Sequence, residues 1–105
     1  MTTHVIKLQI SVNIIVVKDG KEYYASCPAF KGVHVPGRRV KDAIINAKDA
    51  IAANIFSLLK HNEPIPCCEV FDEDMLPDSM TLKELKRHLH HENVSVNYPV
   101  ETIAA

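Results

Sequence analysis

The sequence predicts an α+β fold: an antiparallel meander of three to four strands packed on one long amphipathic helix, with a small helix and strand at the C-terminus. Three observations predict it. Residues 5–17 alternate apolar and polar side chains, the period of a half-buried strand. An Asp19-Gly20 pair and prolines at 28 and 36 then cut the chain into short extended pieces. Residues 40–59 carry apolar side chains at spacings of three and four, the stripe of a helix lying on a core.

In the first strand Ile6, Leu8, Ile10, Val12, Ile14 and Val16 share one parity, with Lys7, Gln9, Ser11 and Asn13 between them. From Ile14 to Val17 both parities are apolar, so this end is predicted to be covered on both faces. Lys18-Asp19-Gly20-Lys21 supplies a tight hairpin, because Asp-Gly tolerates positive φ. A second strand follows over 22–27 and ends at Pro28. A third fits 32–35 and closes on Pro36-Gly37.

The helix is built on Val40, Ala43, Ile44, Ala47, Ala50, Ile51, Ile55, Leu58 and Leu59. Ile45, Ala52 and Phe56 widen this stripe around one side, broken only by Lys41 and Lys48, whose stems lie along apolar surface. The remaining polar face, with Asp42, Asn46, Asp49, Ser57 and Lys60, is narrow. A belt this wide predicts that one face covers the sheet and another meets a second surface. With the long first strand, whose open edge invites pairing, it predicts a homodimer or higher oligomer. Asn54 falls inside the stripe, where a buried amide needs a partner, and is expected to bond a neighbouring loop.

Asn62-Glu63-Pro64-Ile65-Pro66 ends the helix, since the residue before a proline is pushed out of the α region. A short strand at 68–71, an acidic loop at 72–78 and a second helix from the capping-box pattern Thr81-Leu82-Lys83-Glu84 are expected next. That helix carries a thin edge of Leu82, Leu85 and Leu89. Val94, Val96 and Tyr98 suggest a last short strand before Pro99. The expected division is a core domain over residues 1–71 and a C-terminal extension over 72–105.

One stretch has a further meaning. Tyr23-Tyr24-Ala25-Ser26-Cys27-Pro28-Ala29-Phe30-Lys31-Gly32, then Val33-His34-Val35-Pro36-Gly37, resembles the second strand, Pro-x-x-x-Gly turn and short third strand of the HicB-like antitoxin family. Arg39-Val40-Lys41-Asp42-Ala43 is similar to the family's helix start, usually Thr-x-x-Glu-Ala. Asn46-Ala47-Lys48-Asp49-Ala50-Ile51 matches its helix body, and Glu63-Pro64-Ile65-Pro66 its exit. The resemblance spans residues 23–66 in consistent order and spacing. It departs at Arg39, where the usual threonine cap is missing, and in the greater length of the first strand. It implies a degenerate ribonuclease H-like sheet-and-helix unit and a non-catalytic antitoxin that binds and neutralises a HicA-type ribonuclease toxin. The alternative reading is a stand-alone HicB-like oligomeric binding domain with no toxin partner.

Composition narrows the field. The chain has 105 residues, 47% of them hydrophobic and 24% charged, which is globular rather than disordered usage. Lys+Arg 12 against Asp+Glu 13 leaves a net charge of −1, which supplies no chain-wide positive field for nucleic acid or membrane. No basic n-region with a cleavage site opens the sequence, and no apolar run approaches the roughly 18 residues of a membrane span. Cys27, Cys67 and Cys68 are few and odd in number, which favours a reduced, cytoplasmic setting.

Candidate chemistry is sparse. In a helix His88 and His91 fall three apart, with Glu92 four from His88, a reachable metal-ligand spacing. A solvated helix end, where histidines suit the negative pole of the dipole, is the expected role. Cys67 and Cys68 lack a Cys-x-x-Cys partner and read as small residues of a strand. Cys27 reads as a core residue at a strand end rather than a nucleophile. Asp72, Glu73 and Asp74 are consecutive, a solvated loop rather than a spaced metal site. Lys83, Lys86 and Arg87 form a small basic face. Val94 to Glu101 faintly resembles the strand of a ribbon-helix-helix protein, but too few residues follow for its two helices, so a complete DNA-binding module is not expected. No catalytic, cofactor-binding or metal-binding residue is assigned, and no cofactor is expected.

Overall fold

The structure, a computed structural model, describes residues 2–66 and 87–102. Among the described residues the elements follow in the order β1 (Thr2–Asp19), β2 (Glu22–Ser26), β3 (His34–Gly37), α1 (Val40–Lys60) and β4 (Leu89–Thr102). The strands form one antiparallel sheet in the order β3-β2-β1-β4, and α1 packs on one face of it. This is the α+β fold that the sequence predicts.

β1 turns into β2 through a two-residue loop, with Asp19 paired to Glu22. Gly20, at φ +65, takes the first central position and Lys21 the second. The glycine therefore leads the turn, as in a type II′ hairpin, rather than following Asp19 inside it. β3 starts at His34 instead of residue 32, because Gly32 is at φ +93 and belongs to the preceding loop.

Gly37 has a different role from the turn glycine that the sequence suggests. Its φ is not positive, but a Cβ built on it would collide with the backbone N of Ala43 and lie 2.7 Å from Ala43 Cα and 2.8 Å from Asp42 C. The missing side chain lets β3 approach the first turn of α1 backbone to backbone. Asn46 Nδ2 donates to Pro36 O at 2.9 Å and ties the same two elements together.

The core lies between α1 and the sheet face that carries the even residues of β1. Val12, Ile14 and Val16, Ala25, Val94 and Val96 meet Ala43, Ala47, Ile51 and Ile55. These four helix residues follow an i, i+4 ridge, which winds about 40° around the axis per step. By the height of residue 54 the buried line has turned away from the position that Asn54 shares with Ala43. Asn54 is accordingly exposed, and its Nδ2 donates to Ala50 O one turn back, at 3.0 Å, not to a neighbouring loop.

Arg39 is the N-cap, with extended backbone and no side-chain capping bond. Its Nε instead donates to Asp42 Oδ2 at 3.1 Å, and Asp42 also places negative charge in the first turn. Arg39→Thr should restore an acceptor for an orphan N–H and raise stability by about 0.5–1 kcal/mol. Chemical denaturation would show this as a higher midpoint at unchanged slope. At the other end Asn62, at φ +55, forms a Schellman closure: Glu63 N donates to Leu58 O at 2.9 Å and Asn62 N to Leu59 O at 3.3 Å. The helix thus ends before Pro64 intervenes.

β4 departs most from expectation. It is 14 residues long, runs through Pro99, and pairs with β1 from Thr2↔Thr102 to Ile15↔Leu89. The helix anticipated to reach Leu89 does not: only Arg87 and His88 are helical among the described residues before the strand. The ladder of non-local pairs with β1 overrides the local helical pattern. The β1–β4 ribbon makes the molecule long, with a 56 Å axis and a radius of gyration of 16.0 Å, against about 13 Å for a compact domain of this size. The strand expected at 68–71, the acidic loop at 72–78, and the capping box at Thr81 lie outside the described residues.

Candidate partner-binding face

The sheet face opposite α1 carries the odd residues of β1 and the alternate residues of β2. Pairing aligns Ile15 with Ser26, Val17 with Tyr24, and Ser26 with His34, so period two places Ile15, Val17, Tyr24, Ser26 and His34 together on that face. The 27–33 loop closes one side. Phe30 N bonds Cys27 O at 3.0 Å and Val33 N bonds Phe30 O at 3.2 Å, two successive turns that bury Phe30, Val33 and Cys27. Between loop and strands lies an open concavity of about 600 Å³, within the size range of ligand and side-chain pockets.

Its most ordered feature is aromatic. The Tyr24 and His34 rings stack with centroids 4.9 Å apart and planes 11° from parallel. Tyr24 OH donates weakly, at 3.4 Å, to Glu22 Oε2 two residues back on the same face. An apolar floor with an aromatic wall and polar edges suits a protein side chain or helix better than a reaction. Aromatic groups of this kind anchor interfaces because they bury much area at little entropic cost.

The histidine cluster is not brought together as a helix would place it. Leu89 to Glu92 are extended, so His91 and Glu92 point to opposite faces of β4, paired with Asn13 and Val12. Glu92 Oε1 instead meets Lys48 Nζ at 3.6 Å, both side chains about one-third exposed. Among the described residues no group of three or more His, Cys, Asp or Glu converges as a metal site. Cys27 is 3% exposed, in the core position that the sequence suggests. Cys67, Cys68, Asp72, Glu73, Asp74, Lys83 and Lys86 lie outside the described residues, and Arg87 is exposed. No described helix is long and apolar enough to cross a membrane. Sequence reasoning passed over the Tyr24–His34 pair. Its signal was there in the parity of β2, since Tyr24 must face away from the buried Ala25.

Comparison with known proteins supports this architecture. No family model matches the chain. A UPF0150 protein of Thermoplasma acidophilum is 48% identical over 54 residues, 50% of this chain and 78% of that one. A UPF0150 protein of Synechocystis is 41% identical over 44 residues, 42% of this chain and 56% of that one. Among solved structures, the N-terminal domain of the Burkholderia pseudomallei antitoxin HicB superposes with a TM-score of 0.56 at 23% identity, covering 90% of this chain and all of that domain. A second structure of that antitoxin gives 0.50 at 25% identity over 83% of this chain, which spans 61% of the longer protein. Sequence and fold agree, and the chain belongs to the UPF0150 family, with a HicB-like core.

Proposed function

We propose that this protein is an antitoxin of the HicB type that binds and neutralises a HicA-type ribonuclease toxin as a non-catalytic partner, using the sheet face opposite α1. The observation that carries the reading is the concavity lined by Ile15, Val17, Phe30, Tyr24 and His34 on the sheet face opposite α1. It offers apolar area and stacked rings for a protein surface. Neutralisation then needs only steric cover of the toxin's reactive groups, with affinity drawn from a few buried anchors.

The test is co-expression with a HicA-like reading frame adjacent to this gene. The wild-type chain should restore growth and co-purify with the toxin. Tyr24→Ala with His34→Ala should weaken binding at least about thirtyfold, while Phe56→Glu on α1 leaves it within about threefold. A neighbour that is neither toxic nor retained would remove the antitoxin reading and leave a stand-alone binding domain. Equal loss from Phe56→Glu would move the binding face to the helix.

A further inference from the structure

His34 puts a titratable ring on the apolar side of the concavity. It lines that space with Ile15, Val17 and Phe30, and its ring lies against Tyr24 at 4.9 Å between centroids, 11° from parallel. In the free chain His34 is exposed, so water solvates both of its protonation states. Histidine is the side chain whose charge ordinarily changes between about pH 5 and 8.

What a partner does to that charge follows from the groups around the ring. β1 contributes Lys18 and Asp19, and the 27–33 loop contributes Lys31 and the buried thiol of Cys27. β2 contributes Tyr24 and Glu22, whose Oε2 accepts from the Tyr24 hydroxyl at 3.4 Å. α1 lies on the other side of the sheet. Lys18 and Lys31 balance Asp19 and Glu22 in formal charge, and all four are exposed, where water screens them. The concavity therefore offers an imidazolium no net counter-charge, only an aromatic ring and an apolar floor. A partner seated there removes water from His34, which disfavours its charged form. The neutral imidazole loses far less and keeps its stack on Tyr24.

We infer that His34 makes partner binding pH-sensitive: the complex holds the imidazole neutral, and protonation of His34 releases the partner. This inference rests on the reading of the concavity as the partner-binding face. Linkage fixes the sign. Above the range in which the free imidazole titrates, His34 is neutral in both states and affinity is full. Below it the free chain carries a proton that the complex must shed, so affinity falls by up to about tenfold per pH unit. The Tyr24 ring stays neutral throughout this range, which leaves the stacking surface in place while its partner ring changes charge.

Isothermal titration of the full chain with a catalytically silenced HicA-type toxin from the same genome tests this, run across pH in buffers of different ionisation enthalpy. Wild-type affinity should fall at least about fivefold from about pH 7.5 to about pH 5.5, with proton release on binding at the acid end. His34→Phe keeps a ring to stack on Tyr24 but cannot take up a proton. Whatever its absolute affinity, that variant should lose at least about fivefold less over the same range and release fewer protons than the wild type. If it does not fold, the imidazole ¹⁵N shifts of the wild type replace it: at about pH 5.5 His34 should be protonated in the free chain and neutral in the complex. Equal affinity at both ends of the range, tighter binding in acid, a variant as pH-sensitive as the wild type, or an imidazolium persisting in the complex would each overturn the inference and leave the binding face standing. No binding at any pH would overturn both.

Discussion

Gly37→Ala is expected to lower the stability of the domain by about 3 kcal/mol, at the upper end of what overpacking costs. The reason is backbone geometry. A methyl group at residue 37 would press on Ala43 N and Cα and on Asp42 C, and none of these is a flexible side-chain end. Relief requires β3 to retreat from the first turn of α1, which also stretches the Asn46–Pro36 bond of 2.9 Å. The measurement is urea denaturation of the variant beside Lys21→Ala, an exposed loop control expected to stay within about 0.5 kcal/mol of wild type. A Gly37→Ala midpoint equal to that of the control would show that the strand and helix do not approach this closely.

Ile51→Ala should cost about 3–4 kcal/mol, within the usual range for emptying a packed isoleucine site. Ile51 has no exposed surface and sits mid-helix between Ala47 and Ile55, also fully buried, against Ile14 and the rest of the sheet-side cluster. Alanine neighbours lie close to the sheet and cannot shift inward to fill the void. Ile45 provides the contrast: same helix, same residue type, 47% exposed. Ile45→Ala should change stability by less than about 1 kcal/mol. Thermal and chemical unfolding of both variants decide the matter, and equal losses would mean that the helix is seated differently.

Much of the fold was legible because it rests on local periodicity. The alternation of Ile6 to Val16 marks β1, Gly20 marks the hairpin, and the spacing from Val40 to Leu59 gives a helix that the structure ends at Lys60. β4 was legible only as its Val94-Val96-Tyr98 centre. Its other residues are extended because β1 offers a matching ladder more than seventy residues away, which no local window contains. The same cause undid the histidine cluster: His88 and His91 share a face only in a helix, and the ladder makes residues 89–92 a strand. Asn54 was misplaced because a wheel averages the whole helix, whereas the Ala43–Ile55 ridge winds around it.

The candidate face was harder to read than the fold. Tyr24 and His34 lie ten residues apart and meet only through the β2–β3 register. The sequence names both strands, but one residue of slip would turn His34 to the other face, and the expected start at residue 32 did not fix that register. The family resemblance identified the same segment through its glycines and prolines, which shape the fold. The stacked Tyr24 and His34 line the concavity.

The proposed neutralisation of a toxin, bound on the sheet face away from α1, has a direct test. Isothermal titration of the purified chain with a catalytically silenced HicA-type toxin from the same genome tests it most directly. Saturable binding of the wild type, with at least about a thirtyfold loss for Tyr24→Ala with His34→Ala, is the expected result. No heat of binding, or equal affinity for wild type and variant, would contradict it.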